Sequence, residues 1–182
     1  MCLDFKPGSG GSIMRLAFKI IGFALATVVS GAMLLPTGPS YAASGEEVIN
    51  ARIDFMKEEL GSHWKILAAY AKSGKGSLAD VEDNAMALAR LSKKIPEHFP
   101  KDTGRGKYSD KMTRSLPVIW TDWDGFKKEV QRLADGSEKL ARLAKEGNKD
   151  AVVTMIGSSG SYAKTKIGCA ECHKTFRGAR VK

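Results

Sequence analysis

Close to the C-terminal end of the chain, two thiols and an imidazole stand within five residues. Cys169 and Cys172 are separated by two residues, and His173 follows directly. The pattern Cys-x-x-Cys-His is the attachment signature of a c-type haem. The thiols add to the two vinyl groups of the porphyrin as thioethers, and the histidine then ligates the iron. Because residues three and four apart share a helix face, a helix here would place all three side chains on one flat cofactor.

The motif therefore predicts one covalently attached haem c with His173 as the iron ligand. A thioredoxin-like redox pair would follow a strand of a βαβ unit, a pattern that the sequence does not show. A structural zinc ion needs four ligands, and the other two histidines, His63 and His98, are far away in the sequence. The alternative that stays open is a haem-free helical module, closed by a Cys169–Cys172 disulfide or carrying zinc.

The N-terminal region has the features of a secretory signal peptide. Arg15 and Lys19 precede an apolar run over residues 20–35, and residues 40–42 supply a small-x-small cleavage site. This arrangement predicts cleavage after residue 42. An uncleaved membrane anchor is disfavoured, because the apolar run is short for a membrane span and Pro36 interrupts it.

Residues 1–42 are accordingly assigned to an N-terminal extension and cleaved signal peptide, and residues 43–182 to the haem c domain. A length of about 140 residues suffices for one compact domain. Because the domain is exported and shows no second apolar span, we expect it to be periplasmic. The net charge of +9 is scattered, without a dense basic run. It argues against nucleic acid as a partner and is consistent with solubility or with steering toward an acidic partner.

Four helical patterns and no convincing strand follow the signal peptide, which predicts an all-α, antiparallel four-helix bundle. Apolar residues recur at steps of three and four in each pattern, and capping residues or glycines bound them. The predicted helices are Ser44 to Gly74, Ser77 to about Lys94, Thr121 or Asp122 to Gly147, and Lys149 to Phe176–Arg177. A long connection, residues 95–121, joins the second helix to the third, and a connection of this length is usually functional or tied down.

The predicted fourth helix contains five consecutive small residues, 157–161. Glycine and serine lower helix propensity, so their presence there needs a reason. One reason is close approach of a flat ring to the helix backbone. The alternative is a kink or a frayed segment in this helix.

Taken together, the motifs resemble those of the class II c-type cytochromes, the family that includes cytochrome c′. The haem motif lies near the C-terminus, on the last helix of a four-helix pattern, and the resemblance covers essentially the whole domain. The other residues that carry it are Arg52 and Met56 on the first helix, Phe99-Pro100, residues 116–120, Phe126, and Phe176-Arg177 after the haem motif.

The resemblance implies two functional types, which differ at the sixth iron position. In one type that position is open, the iron is high-spin, and NO or CO can bind. In the other type a methionine of the first helix fills it, and the protein is a low-spin, one-electron carrier rather than an enzyme. Met56 corresponds to that methionine, and His/Met ligation raises the reduction potential. We expect Met56 to ligate the iron; the alternative is that it only fills the core.

The resemblance also implies roles for four further residues. Arg52 is expected near the haem propionates or pocket, and Arg177 near the proximal histidine, where either side chain suits a carboxylate. Trp120 would hold the long connection over the ring edge or simply be buried, and Phe176 would pack beside the imidazole of His173. Expected partners are redox proteins, including acidic ones, and we expect a monomer or a homodimer. The resemblance implies no role for the lysine-rich loop over residues 101–114.

Overall fold

The computed structural model describes residues 43–181 and contains seven α-helices in that range. A π-helical turn, Phe55–Leu60, joins the first two into one continuous rod, and 3-10 turns occur at Ile95–His98 and Tyr162–Lys164. The predicted signal peptide lies outside the described residues. The helices are α1 (Gly45–Asp54), α2 (Gly61–Ser73), α3 (Leu78–Ser92), α4 (Val118–Thr121), α5 (Trp123–Lys145), α6 (Lys149–Ile156) and α7 (Cys169–Phe176).

The first rod, α1 with α2, begins and ends where the sequence predicts. The Ser44 hydroxyl accepts a hydrogen bond from the Glu47 amide at 3.2 Å, and the Glu47 carboxylate accepts one from the Ser44 amide at 2.6 Å. This reciprocal capping box satisfies two donors that the first helical turn would otherwise leave unpaired. Gly74 ends the rod with a φ of 66°, a left-handed conformation that glycine adopts readily.

The second and third rods, α3 and α5, pack extensively against each other. A second capping box, between Ser77 and Asp80, starts α3. The Asp122 carboxylate caps α5 by accepting a hydrogen bond from the Gly125 amide at 3.0 Å, and Gly147 follows that helix with a φ of 77°. With α6 and α7 as the fourth rod, these elements confirm the predicted all-α, antiparallel four-helix bundle.

The fourth rod differs from the continuous helix predicted over residues 149–177. Helix α6 stops at Ile156 because Gly157 has a φ of 88°, and α7 starts only after Gly168, with a φ of 113°. The small residues 157–161 therefore do not lie in a helix against a ring. They begin a connecting segment, because glycine and serine gain little from helix formation and readily form turns.

Local hydrogen bonds hold this connecting segment in place. The Thr165 hydroxyl donates to the Met155 carbonyl at 3.0 Å, and the Lys166 amide donates to the same carbonyl at 2.9 Å. Ser161 caps the 3-10 turn by accepting a hydrogen bond from the Ala163 amide at 3.3 Å. The interruption is thus an ordered part of the fold that sets where α7 begins.

Two glycines allow the segment before α7 to lie directly on α5. A Cβ atom at Gly136 would stand 2.5 Å from the Ile167 carbonyl oxygen and 2.8 Å from its Cα. A Cβ atom at Gly168 would stand 2.8 Å from the Leu133 amide nitrogen. These are backbone atoms, which cannot move aside as a flexible side chain would. Close backbone contact with α5 therefore positions the start of the Cys-x-x-Cys-His helix.

We expect Gly136→Ala to lower the free energy of unfolding by about 2 kcal/mol, because overpacking against fixed backbone costs this much. Helix propensity alone predicts the opposite sign, a gain of about 1 kcal/mol from replacing a mid-helix glycine. Urea unfolding of the haem-loaded protein distinguishes the two. A more stable variant would show that the close contact with Ile167 is unimportant.

The long connection between α3 and α5 is tied down, as its length suggested. It includes α4 and is anchored to the first rod and to the residues that follow α7, so that it closes one end of the bundle.

The buried core between the rods is apolar. Its largest fully buried side chains include Ile49, Leu67, Ile119, Phe126, Leu140, Ile156 and Ile167. Among residues 43–181, no helix is both long enough and apolar enough to cross a membrane.

Candidate haem site

The two motif cysteines lie on one helix, α7, and pack against the apolar core. Neither forms a disulfide within the described residues. Burial raises the pKa of the Cys169 thiol to about 12 and that of Cys172 to about 11. Buried thiols of this kind are poor thiolate nucleophiles at neutral pH, which argues against a thioredoxin-like redox pair. Two inward thiols on one face suit attachment to an apolar ring.

The imidazole of His173 has the properties of a metal ligand. Its Nδ1 atom is buried and has no hydrogen-bond partner among the described residues. Burial, with smaller contributions from the positive charges of Arg177 and Arg114, lowers its pKa to about 4. The ring is therefore neutral at pH 7, which is the form that ligates iron. An orphaned buried nitrogen directly after the two thiols fits a covalently attached haem.

An aromatic ring beside His173 is that of Tyr162, which the sequence analysis did not include. The Tyr162 and His173 rings meet edge to face, 5.2 Å between centroids at 90°. Phe176 instead packs against Phe126, 5.4 Å away at 85°. Phe176 points into the core because α7 ends against α5, whereas the segment before α7 carries Tyr162 to the imidazole. Whether Phe176 also touches the haem stays a prediction.

Tyr162 is the site residue that sequence reasoning missed. Its hydroxyl accepts a hydrogen bond from Arg177 Nη2 at 3.1 Å, and the Arg177 guanidinium stands 5.1 Å from the Tyr162 ring centroid. Tyr162 therefore links Arg177 to His173, and the resemblance did not include this tyrosine. The expected position of Arg177 near a haem-ligating histidine stays a prediction. The only local signal is an aromatic residue within an otherwise small and polar segment.

Met56 lies in the π-helical turn of the first rod, one turn after Arg52. Its side chain is partly buried and packs against the same core cluster as Cys169 and Cys172. A π-helical turn shifts the helix by one residue and is frequently found at functional sites. Met56 is thus an inward thioether on the first rod, while the haem motif lies on the fourth.

Arg52 is a buried cation, with 3% of its surface exposed. Its guanidinium donates to the Thr103 hydroxyl at 3.0 Å, to the Thr103 carbonyl at 2.8 Å and to the Thr113 hydroxyl at 3.1 Å. It also stands 4.7 Å from the centroid of the Phe99 ring. Burial lowers its pKa to about 10, so it remains charged at neutral pH.

Every hydrogen-bond partner of Arg52 among the described residues is neutral. A guanidinium has five N–H donors, so two remain available to it. A buried positive charge without a carboxylate partner fits the propionate of a haem, because burying an unpaired charge is costly. Its contact with the propionates stays a prediction.

Trp120 holds the long connection in place. Its indole N–H donates to the Phe99 carbonyl at 3.0 Å. Its ring also packs against Gly104, where there is no room for a side chain. The predicted role in holding the connection therefore matches the contacts of Trp120. Its position over a ring edge stays a prediction.

The remaining histidines have structural contacts. His63 Nδ1 is hydrogen-bonded to Asn84 Oδ1 at 2.7 Å. His98 stacks on Phe55 with 3.9 Å between ring centroids. Residues 43–181 contain no cluster of three or more histidine, cysteine or carboxylate side chains arranged for a metal ion. The zinc alternative therefore lacks ligands in the described part of the chain.

The fold and the motif together define a monohaem c-type cytochrome built on a four-helix bundle. The sequence model of the family described as cytochrome C′ matches residues 47–177. The chain belongs to the cytochrome c′ family, whose members bind haem c covalently, and this confirms the predicted cofactor.

Individual relatives agree with this assignment. The chain is 29% identical over 131 residues to a cytochrome c′ of Pararhodospirillum photometricum, which covers 70% of this chain and 96% of the relative. It is similar to the solved structure of a cytochrome c′ from Rhodobacter Spheriodes, with a TM-score of 0.61, 26% identity, and coverage of 76% of this chain and 100% of that one.

A second solved structure shows the same fold. It is the nitric oxide complex of a point mutant of cytochrome c prime from Alcaligenes xylosoxidans, with a TM-score of 0.58 and 24% identity. The match covers 75% of this chain and 98% of that one. At this identity the likeness concerns the fold alone.

Proposed function

We propose that the protein is an exported one-electron carrier in which His173 and Met56 are the axial ligands of the haem iron. In this proposal Cys169 and Cys172 attach the ring, which supplies the one-electron redox couple when bound. The observation that carries the proposal is Met56: a partly buried thioether on the first rod, packed against the same core as the two thiols. Thioether sulfur is a soft ligand that haem iron accepts.

The surrounding residues support this role. Burial keeps the His173 imidazole neutral and free to ligate. The Tyr162 ring packs edge to face on that imidazole, and Arg177 donates a hydrogen bond to the Tyr162 hydroxyl. Arg52 places a fixed positive charge inside the protein, which would balance a buried propionate. An apolar core around the ring lowers the local dielectric, one of the means by which proteins tune haem potentials.

The proposal includes a periplasmic location and redox partner proteins. The location rests on the predicted signal peptide of residues 1–42 and on the family, whose members are generally periplasmic. The partner is expected to be acidic because the chain is basic. The protein is proposed to be a carrier rather than an enzyme, and to be a monomer or a homodimer.

A second candidate function is binding of NO or CO at an open sixth position. One observation favours it: a structural relative in the cytochrome c′ fold is a nitric oxide complex. In this case Met56 would be only a packing residue, since methionine fills irregular gaps in cores. The two functions differ in a single bond, between the Met56 sulfur and the iron.

Absorption spectra of the purified, haem-loaded protein test the proposal. We expect a low-spin ferric spectrum with a weak far-red band from sulfur-to-iron charge transfer, and slow or no change when CO is added to the ferrous protein. A high-spin spectrum with ready CO binding would contradict Met56 ligation and favour the gas-binding function.

A further inference from the structure

The residues after α7 are joined to the lysine-rich loop, residues 101–114, by backbone and side-chain hydrogen bonds. The Gly178 amide donates to the Arg114 carbonyl at 2.8 Å, and Arg114 Nε donates to the Gly178 carbonyl at 2.8 Å. The Leu116 amide donates to the Phe176 carbonyl at 3.1 Å. Two segments about 60 residues apart in the chain therefore form one surface at the end of the bundle that carries the haem motif.

This pairing concentrates positive charge. Residues 101–114 contain five lysines or arginines and two aspartates, and residues 174–181 contain three and no acid. Four arginines lie on the joined segments, and we call them, together with Tyr162, the arginine surface; they are Arg105, Arg114, Arg177 and Arg180.

Few ion pairs compensate the charge of the arginine surface, although Glu171 lines the same surface depression as Tyr162 and Arg177. Arg105 makes an ion pair with Asp110 at 3.4 Å, but Arg114, Arg177 and Arg180 make none within residues 43–181. Burial, followed by the charges of Arg177 and Arg180, lowers the pKa of Arg114. Its surroundings therefore contain more positive than negative charge.

We propose that the arginine surface is the docking site for an acidic protein, the redox partner of this cytochrome. This inference rests on the proposed electron-transfer function and names the surface through which it operates. Complementary charge gives such an encounter its orientation and its speed. The surface lies next to the proximal ligand, because Tyr162 contacts both Arg177 and the imidazole of His173.

The chemistry of the surface suits a protein carboxylate in particular. Guanidinium groups bind carboxylates in a bidentate geometry that lysine cannot reproduce. Hydrogen bonds to backbone carbonyls or to Tyr162 hold Arg105, Arg114 and Arg177, so little side-chain entropy is lost on docking. Tyr162 is 41% exposed, and an exposed tyrosine among arginines is typical of the residues that dominate protein interfaces.

The test compares two double variants of the haem-loaded protein that lose the same charge. Arg114→Gln/Arg180→Gln removes two charges from the arginine surface. Lys72→Gln/Lys75→Gln removes two charges from the opposite end of the first rod. That end is remote from Arg114, because the rod starts at Gly45, beside Tyr108 of the lysine-rich loop, and a helix of this length extends about 40 Å. The segment before Tyr162 approaches this rod at Ala68, where Gly160 packs, so the control tests the contribution of Arg114 and Arg180 rather than that of Tyr162. The probe is an immobilised decaglutamate peptide, with decaglutamine as its uncharged counterpart.

We expect Arg114→Gln/Arg180→Gln to weaken binding to decaglutamate about tenfold at about 0.1 M salt, since two ion pairs are lost. We expect the Lys72→Gln/Lys75→Gln variant to stay within about twofold of the wild type, because at this salt concentration the screening length is about 10 Å and its charges make no direct ion pair with the probe bound at Arg114 and Arg180. Equal losses in both variants would show that only net charge matters, and no loss in either would also overturn the proposal. Arg180→Gln alone, at an exposed position, replaces the double variant if the latter does not fold.

Two further outcomes separate this proposal from others. Binding to phosphatidylglycerol vesicles but not to decaglutamate, with loss in Arg114→Gln/Arg180→Gln, would identify a membrane-binding surface and contradict a protein partner. Binding to decaglutamate does not depend on the sixth iron ligand. The protein could therefore prove to be high-spin and to bind CO, while only Arg114→Gln/Arg180→Gln loses binding to decaglutamate. That combination of results would support the acidic docking site and contradict electron transfer through a His/Met haem.

Discussion

Replacing Met56 with alanine is expected to change the haem iron from low-spin to high-spin and to raise its apparent affinity for CO about 100-fold. A ligand that occupies a binding position 99% of the time lowers the affinity of a competitor by about this factor. The far-red sulfur-to-iron band should disappear in the same variant. CO titration of the ferrous protein, followed by absorption, measures both changes.

Met56→Leu separates ligation from packing in this experiment. Leucine keeps an apolar side chain of similar volume, so the core is disturbed little, but it has no sulfur. We expect its spectrum and CO affinity to resemble those of Met56→Ala. Met86→Ala is the matched methionine control, because Met86 lies on α3 and is 51% exposed. A wild-type spectrum in Met56→Leu would show that Met56 is a packing residue and that electron transfer through a His/Met haem is wrong.

Replacing Arg52 with alanine is expected to lower the free energy of unfolding by about 3 kcal/mol. Three hydrogen bonds from a charged donor are lost, and the groups at Thr103 and Thr113 are left without that donor in a buried place. Losing charged hydrogen bonds and leaving buried groups unpaired typically costs this much. The loop over residues 101–114 should also open, because Arg52 joins the first rod to both ends of that loop. Denaturant unfolding and hydrogen exchange of the loop amides measure the two effects.

Two other variants show which property of Arg52 matters. Thr113→Val removes one of the three hydrogen bonds and is expected to cost about 1 kcal/mol. Arg52→Lys keeps the charge but cannot bridge Thr103 and Thr113 in the same way, so we expect an intermediate stability. If Arg52 also pairs with a propionate, Arg52→Ala shifts the reduction potential while Thr113→Val does not. Equal stability of Arg52→Ala and wild type would contradict the anchoring role.

The class of cofactor and the helical architecture are both determined by short-range features of the sequence. Cys-x-x-Cys-His acts through neighbours three and four residues apart, so its chemistry does not depend on the rest of the fold. The capping boxes at Ser44 and Ser77 and the left-handed glycine at residue 74 are equally local. These signals predicted three of the four rods, because each depends only on hydrogen bonds within one turn.

Both the local sequence and tertiary contacts determine where the fourth rod is interrupted. The small residues 157–161 signalled weak helix propensity, but whether they form a helix against a ring or a turn depends on competing contacts. Backbone packing of residues 167 and 168 on Gly136 and Leu133 of α5 favours the turn, since a straight helix over residues 149–177 would not place Gly168 against Leu133. Tyr162 reaches the imidazole of His173 as a consequence of that packing.

The sequence by itself thus determined a covalent haem on a helical bundle, through residue types and spacings that act locally. Only the tertiary structure decided that Arg52 binds Thr103 and Thr113, that Tyr162 packs against His173, and that two basic segments form one surface. Such contacts join residues more than ten and often about fifty positions apart. Their formation depends on how the rods pack, and no periodicity or spacing within one segment encodes it.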